Sequence, residues 1–217
     1  MNLTYYLGWR LARLGSKTYF RGRAYHAERV PTQGPIILAA NHASYVDPLL
    51  IGAPLARDIH YLARASLFRH PFANWLLRSV NTVPVERDSG GGAGLKAIFE
   101  RLRAGAGILL FPEGTRTRDG RLQPARSGIG LVVIKSACPV VPVRVFGSFE
   151  AYGRHMRFPL PKPVVVKFGL ALDFVALRTE ARTCSKERLK AIYQQVADEI
   201  MDAIARLEPC ADRTRFP

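Results

Sequence analysis

A chain of 217 residues, 48% hydrophobic with 18 Gly and 15 Pro spread along it, is long enough for one well-cored domain and short for two. Its 32 Lys+Arg against 17 Asp+Glu give a net charge of +15 and a sequence pI near 10.4, so the expected partner is anionic: nucleic acid, an anionic membrane surface or a phosphate-rich substrate. Cys138, Cys184 and Cys210 are odd in number, far apart and without a C-x-x-C pair, which argues against a disulfide framework or zinc knuckle and fits a reducing compartment. No apolar stretch reaches the ~18 residues of a membrane span. The first basic residues follow apolar ones, which is not a secretory pattern.

In chain order, Leu3, Tyr6, Leu7, Leu11 and Leu14 recur at helical spacing, with Trp9 beside them and Arg10, Arg13 and Lys17 interspersed. This basic amphipathic helix fits two roles, lying on an anionic lipid surface or packing on its own domain. Residues 1–33 are therefore read as an N-terminal amphipathic membrane-surface segment and residues 34–217 as the main domain. Residues 35–40 form a short apolar run that reads as a buried strand. It leads into Asn41-His42-Ala43-Ser44-Tyr45-Val46-Asp47, and a helix is expected from Pro48. His42 thus stands where a strand ends, the place at which open α/β sheets bind ligands. An imidazole there with a carboxylate five residues on has the parts of a general base and its orienter. Local structure offers another account: Asp47 before Pro48, or Ser44, suits a helix N-cap.

Residues 59–64 read as a second strand. Ser66 is a possible cap for a helix through Phe68, Phe72, Trp75, Leu76 and Leu77, limited by Pro71 and expected to pack in the core or to line an alkyl channel on one side. Residues 80–87 read as a strand that Pro84 places at an edge or bulge. The glycine-rich residues 89–94 match neither phosphate-loop register and read as a flexible connection. A helix over 95–103 and a buried strand over 107–111 follow. That strand runs into Pro112-Glu113-Gly114-Thr115-Arg116, where glycine permits close backbone approach and arginine suits a phosphate. Arg118, Arg121 and Arg126 surround an Asp119-Gly120 turn. A helix over 128–137, strands over 140–146 and 164–168, and a long helix capped by Ser185 complete the chain. The alternation of strand and helix makes the class α/β: a single domain with a mixed, largely parallel sheet flanked by helices.

Four blocks, Asn41-His42 with Asp47, Val83-Pro84-Val85-Glu86-Arg87, Phe111-Pro112-Glu113-Gly114-Thr115-Arg116 and Val141-Pro142-Val143, resemble in order those of the glycerolipid acyltransferases. The best-known members are the lysophosphatidic acid acyltransferases. The resemblance implies transfer of a fatty acyl group from acyl-CoA or acyl carrier protein to a free hydroxyl of a lysophosphatidate-like lipid. It implies His42 as general base, Asp47 as its orienter, and a phosphate site at Arg87, Glu113, Gly114, Thr115 and Arg116, with Pro142 shaping the site. It further implies a cytoplasmic enzyme of phospholipid synthesis, or of lipid remodelling, lying peripherally on the inner face of the membrane. Two departures stand out: Asn81 replaces a common Gly, a change that a left-handed conformation tolerates, and Arg64 stands where relatives carry Lys.

The chemistry is consistent with this on its own terms. A thioester is already activated, so a base and oxyanion donors suffice, without metal or redox cofactor. Two other classes are weaker. A nucleic-acid module would explain the charge but has no helix-turn-helix, RNP-like strand or zinc spacing. A serine esterase would use Ser44 or Ser127, and neither lies in G-x-S-x-G.

Overall fold

The fully apolar residues Ile36–Ala40 are the centre of the protein, and the rest of the fold follows from burying them on both sides. In the computed structural model, which describes residues 3–85 and 92–209, seven strands make one sheet: β1 (Arg23–Tyr25), β2 (Ile36–Ala40), β3 (Ile59–Arg64), β4 (Thr82–Val85), β5 (Gly107–Leu110), β6 (Val140–Phe146) and β7 (Val165–Phe168). The helices are α1 (Leu3–Thr18), α2 (Asp47–Gly52), α3 (Pro71–Ser79), α4 (Gly92–Arg103), α5 (Gly128–Ser136), α6 (Ser148–Tyr152), α7 (Val175–Glu180) and α8 (Lys186–Arg206). The strand order is β1-β7-β6-β2-β5-β3-β4, parallel throughout except for the β6–β7 pair.

Every side chain of β2 is buried, which is why its sequence does not alternate. Ile36, Leu38 and Ala40 face one layer with Leu50 and Ile51 of α2, while Ile37 and Ala39 face the other with α5 and α8. The α8 stripe Ile192, Val196, Ile200 and Ile204 is fully buried. Each such aliphatic side chain contributes about 1.5–3 kcal/mol on leaving water. Ser185 caps α8 by accepting the Arg188 N–H. Among the described residues strand β4 pairs only with β3, so Pro84 does stand at an edge, and Asn81 before it takes the left-handed conformation (φ 59°).

Several expectations need correction. Strand β1 lies within the stretch 1–33 and forms the far edge of the sheet, with Phe20, Ala24 and Val30 in the core; only the residues before it remain for a membrane segment. The helix expected after Ser66 is divided: a 3-10 turn, Ala65–Phe68, is followed by α3, because Pro71 cannot continue a helix but suits its first position. Nor is its aromatic cluster core, since Phe72 and Trp75 are 63% and 57% exposed. Helix α4 begins at Gly92, inside the expected glycine connection, whose earlier residues lie outside the described ones. Among the described residues no helix is long and apolar enough to cross a membrane.

Helix α1 packs on its own domain along one face and leaves the opposite face exposed. Tyr5, Gly8, Trp9 and Ala12 line a seam against α2, Tyr61 and Val80, and the Tyr5 hydroxyl accepts the Ile59 N–H. Leu3, Leu7, Leu11 and Leu14 point away and stay exposed.

Candidate active site

The carboxyl ends of β2 and β5 lie side by side, and the two loops leaving them build the site. Asn41 closes the end of β2 by extending the sheet through its side chain: its Nδ2 donates to Val145 O at 3.1 Å and its Oδ1 accepts from Val145 N at 2.8 Å. His42 follows at once, so its position is inherited from the sheet. Its ring stacks on Phe111, the residue after β5, with centroids 3.8 Å apart and planes within 13°. That leaves the imidazole little freedom to turn.

Asp47 does not cap α2. Its carboxylate turns back along the chain, and Oδ2 accepts from His42 Nδ1 at 2.8 Å, from Ala43 N at 2.7 Å and from Ser44 N at 2.6 Å. A carboxylate oxygen only accepts, so the bond requires the proton on Nδ1 and leaves the neutral ring's lone pair on Nε2. Asp47 is fully buried while the His42 side chain is 18% exposed. The pair is a fixed acceptor behind a reachable base. Ser44 does not cap the helix in the expected way either: its buried hydroxyl donates to Tyr152 O at 2.8 Å and accepts the Val46 N–H at 3.3 Å. With both bonds made away from His42, Ser44 lacks the geometry of a nucleophile beside its base.

The second loop is tied to the first at two points. Glu113 Oε1 accepts the His42 backbone N–H at 3.1 Å, and Thr117 N donates to His42 O at 2.9 Å. Burial pushes the Glu113 carboxyl up to about 7, opposed by the His42 N–H and reinforced by the Asp47 charge. Only 3% of Glu113 is exposed, so it stands behind the histidine turn rather than at its open side. Gly114 has φ +69°, a left-handed conformation that selects glycine, and the flexible Arg126 side chain lies against it, its Cδ 2.9 Å from where a Cβ would stand. Thr115 is half-buried in the same turn. Arg116 lies flat against Tyr45, its Cζ 3.5 Å from the ring centroid, and Tyr45 in turn packs against Tyr152. Asp119 staples the following loop, accepting from Thr117 Oγ1 at 2.8 Å and Arg121 N at 3.1 Å.

The fold thus gathers His42, Asp47, Glu113, Gly114, Thr115 and Arg116 around the ends of two neighbouring strands. Arg87 lies outside the described residues. Pro142 packs against Gly169, where a Cβ would come within 2.7 Å of its ring. Sequence reading gave no role to Tyr45, Phe111 or Tyr152. Phe111 was legible as the residue at the end of an apolar strand, but Tyr152 is 108 residues from Ser44 and carried no signal.

Residues 22–146 match the Acyltransferase family profile, more than half of the chain. The chain is 28% identical over 188 residues to a 1-acyl-sn-glycerol-3-phosphate acyltransferase of Bacillus subtilis, covering 86% of this chain and 89% of that one. It is 31% identical over 124 residues to a chloroplastic 1-acyl-sn-glycerol-3-phosphate acyltransferase of Brassica napus, covering 56% of this chain but only 36% of the plant protein. In fold it is similar to the crystal structure of the 1-acyl-sn-glycerophosphate acyltransferase of Thermotoga maritima, with a TM-score of 0.67 at 24% identity, over 93% of this chain and 81% of that one. Taken with the four sequence blocks, these matches show that the chain belongs to the glycerolipid acyltransferase family.

Proposed function

We propose that this chain transfers a fatty acyl group from a thioester, acyl-CoA or acyl carrier protein, to the free hydroxyl of a lysophosphatidate-like lipid. The observation that carries the reading is the His42 Nδ1–Asp47 contact of 2.8 Å, which leaves Nε2 as the available base at the open end of the sheet. The acceptor hydroxyl gives its proton to Nε2 as its oxygen attacks the thioester carbon. Collapse of the tetrahedral adduct breaks the C–S bond, and the thiolate takes the proton back from the imidazolium. The thioester supplies the activation, so the step calls for neither metal nor redox cofactor.

Arg116 and Arg87 hold the acceptor phosphate, with Gly114 and Thr115 letting the backbone approach it; the stack on Tyr45 supports this by presenting a preset guanidinium plane. The Ser44 bonds to Tyr152 and Val46 favour direct transfer over an acyl-enzyme. The exposed leucine row of α1, with Arg10 beside it, suits an anionic bilayer, the source of the acceptor, on the inner, cytoplasmic face of the membrane. The test offers purified protein one acyl-CoA and a panel of lysolipids with and without a phosphomonoester, and identifies products by mass spectrometry. Phosphatidate from lysophosphatidate supports the reading. Acylation only of acceptors lacking the phosphomonoester removes the phosphate site from it.

A further inference from the structure

Helix α3 carries an apolar face that the other described residues leave uncovered. Phe72, Trp75 and Leu76 fall at i, i+3 and i+4, hence on one side of the helix, and are 63%, 57% and 40% exposed. Leu67, in the turn before, is 55% exposed. The opposite side, with Ala73, Asn74 and Leu77, is half-buried, so α3 is seated on the domain with its aromatic side outward. An outward Phe-Trp-Leu patch on a seated helix marks an interaction surface.

Charge identifies the occupant. Residues 59–85 contain Arg64, Arg69 and Arg78 and no Asp or Glu. All three arginines are exposed. Arginines fringing aromatic and aliphatic side chains suit the headgroup boundary of an anionic bilayer, where rings sit at the polar–apolar junction and guanidinium groups meet phosphates. Position agrees. The turn leading to α3 leaves the carboxyl end of β3, which runs parallel to β5, so α3 starts from the same end of the sheet as the His42 turn. Its other end meets α1, where a Cβ on Gly8 would lie 3.5 Å from Val80.

We propose that α3 is a second bilayer-contacting element, seating Phe72, Trp75 and Leu76 in the acyl boundary of an anionic membrane beside the leucine row of α1. This rests on the bilayer reading of α1 and adds a distinct contact to it. The helix brings the membrane to the end of the sheet where the acceptor must enter.

The two tryptophans make the proposal separable from that reading, since Trp9 faces the α1–α2 seam and Trp75 faces outward. In the full-length Trp9→Phe variant, Trp75 fluorescence should shift to the blue with phosphatidylglycerol vesicles and be quenched by brominated acyl chains, but not with phosphatidylcholine vesicles. A Phe72→Ser/Trp75→Ser/Leu76→Ser variant, changed only at exposed positions, should keep its circular dichroism and its turnover of a soluble short-chain acceptor. Its affinity for phosphatidylglycerol vesicles should fall about tenfold or more. Vesicle binding with Trp75 emission unmoved overturns the α3 contact and leaves the α1 contact standing. No vesicle binding by either protein overturns both. A blue shift that needs protein concentration and no lipid assigns the face to a second copy of the chain and overturns the proposal.

Discussion

The end of the sheet around His42 and the outer faces of α1 and α3 are built on opposite terms. Around His42 hydrogen bonds tie the turn to itself and to distant segments: Asp47 Oδ2 takes three N–H groups, Glu113 takes the His42 amide, and Ser44 bonds to Tyr152. On the outer faces of α1 and α3 large apolar side chains stay exposed, Leu3 at 74% and Phe72 at 63% being the extremes. Hydrogen bonds within the fold hold the first in one geometry; the second is left open for the bilayer proposed above. Changes at the first should alter chemistry or pH behaviour, and changes at the second should alter where the protein works.

The largest effect is expected at the base. General-base help is worth roughly 10²–10⁴ in rate, so His42→Ala should lose at least about that much with an unchanged circular dichroism spectrum. Asp47→Asn should lose less. A wild-type rate in His42→Ala would remove the mechanism.

Next is Arg116. A charge-assisted contact contributes about 1.5–3 kcal/mol, roughly 10- to 150-fold. Arg116→Ala should raise the KM for lysophosphatidate by that order and leave the KM for the acyl donor alone. If only the donor KM rises, the guanidinium belongs to the donor site.

Glu113 gives a pH signature. Its folded carboxyl titrates near 7 against an ordinary 4.5, so the folded state keeps a proton that the unfolded chain has released. The associated stability is present below 4.5, is lost as pH rises to about 7, and is constant above. After allowance for solvent screening the loss is on the order of 1–2 kcal/mol. Chemical denaturation of wild type and Glu113→Gln between pH 5 and 8 should show that slope in the first and a flatter one in the second; parallel curves would place the raised carboxyl elsewhere.

The smallest effects separate the two regions most cleanly. Ser44→Ala should keep most activity and cost about 1 kcal/mol through its lost hydrogen bonds; activity falling to the level of His42→Ala would point instead to a serine nucleophile. Deleting α1 is a poor test of its outer face, because it also removes buried Tyr5 from Ile59. Leu7→Ser with Leu11→Ser should weaken vesicle sedimentation several-fold and leave turnover of a soluble acceptor and thermal stability near wild type. Unchanged sedimentation would confine α1 to its packing role.

What the sequence determined by itself was whatever acts over short range or repeats with a period. The buried strands β2, β5 and β6, the stripe of α8 with its Ser185 cap, the edge position set by Pro84 and the left-handed Asn81 all follow from side-chain chemistry and local backbone rules. The His42–Asp47 pair was legible for the same reason, since five residues of turn bring them together. Tertiary structure alone decided the contacts between distant segments. Asn41 is locked to Val145 from 104 residues away, and Glu113 reaches the His42 amide across 71. Strand β1, three residues long, exists only because β7 is there to pair with it. The same holds for the aromatic residues of α3. Their helical spacing reads identically whether the face is buried or bare, and only the packing of the described residues, which put no layer over them, places them at the surface.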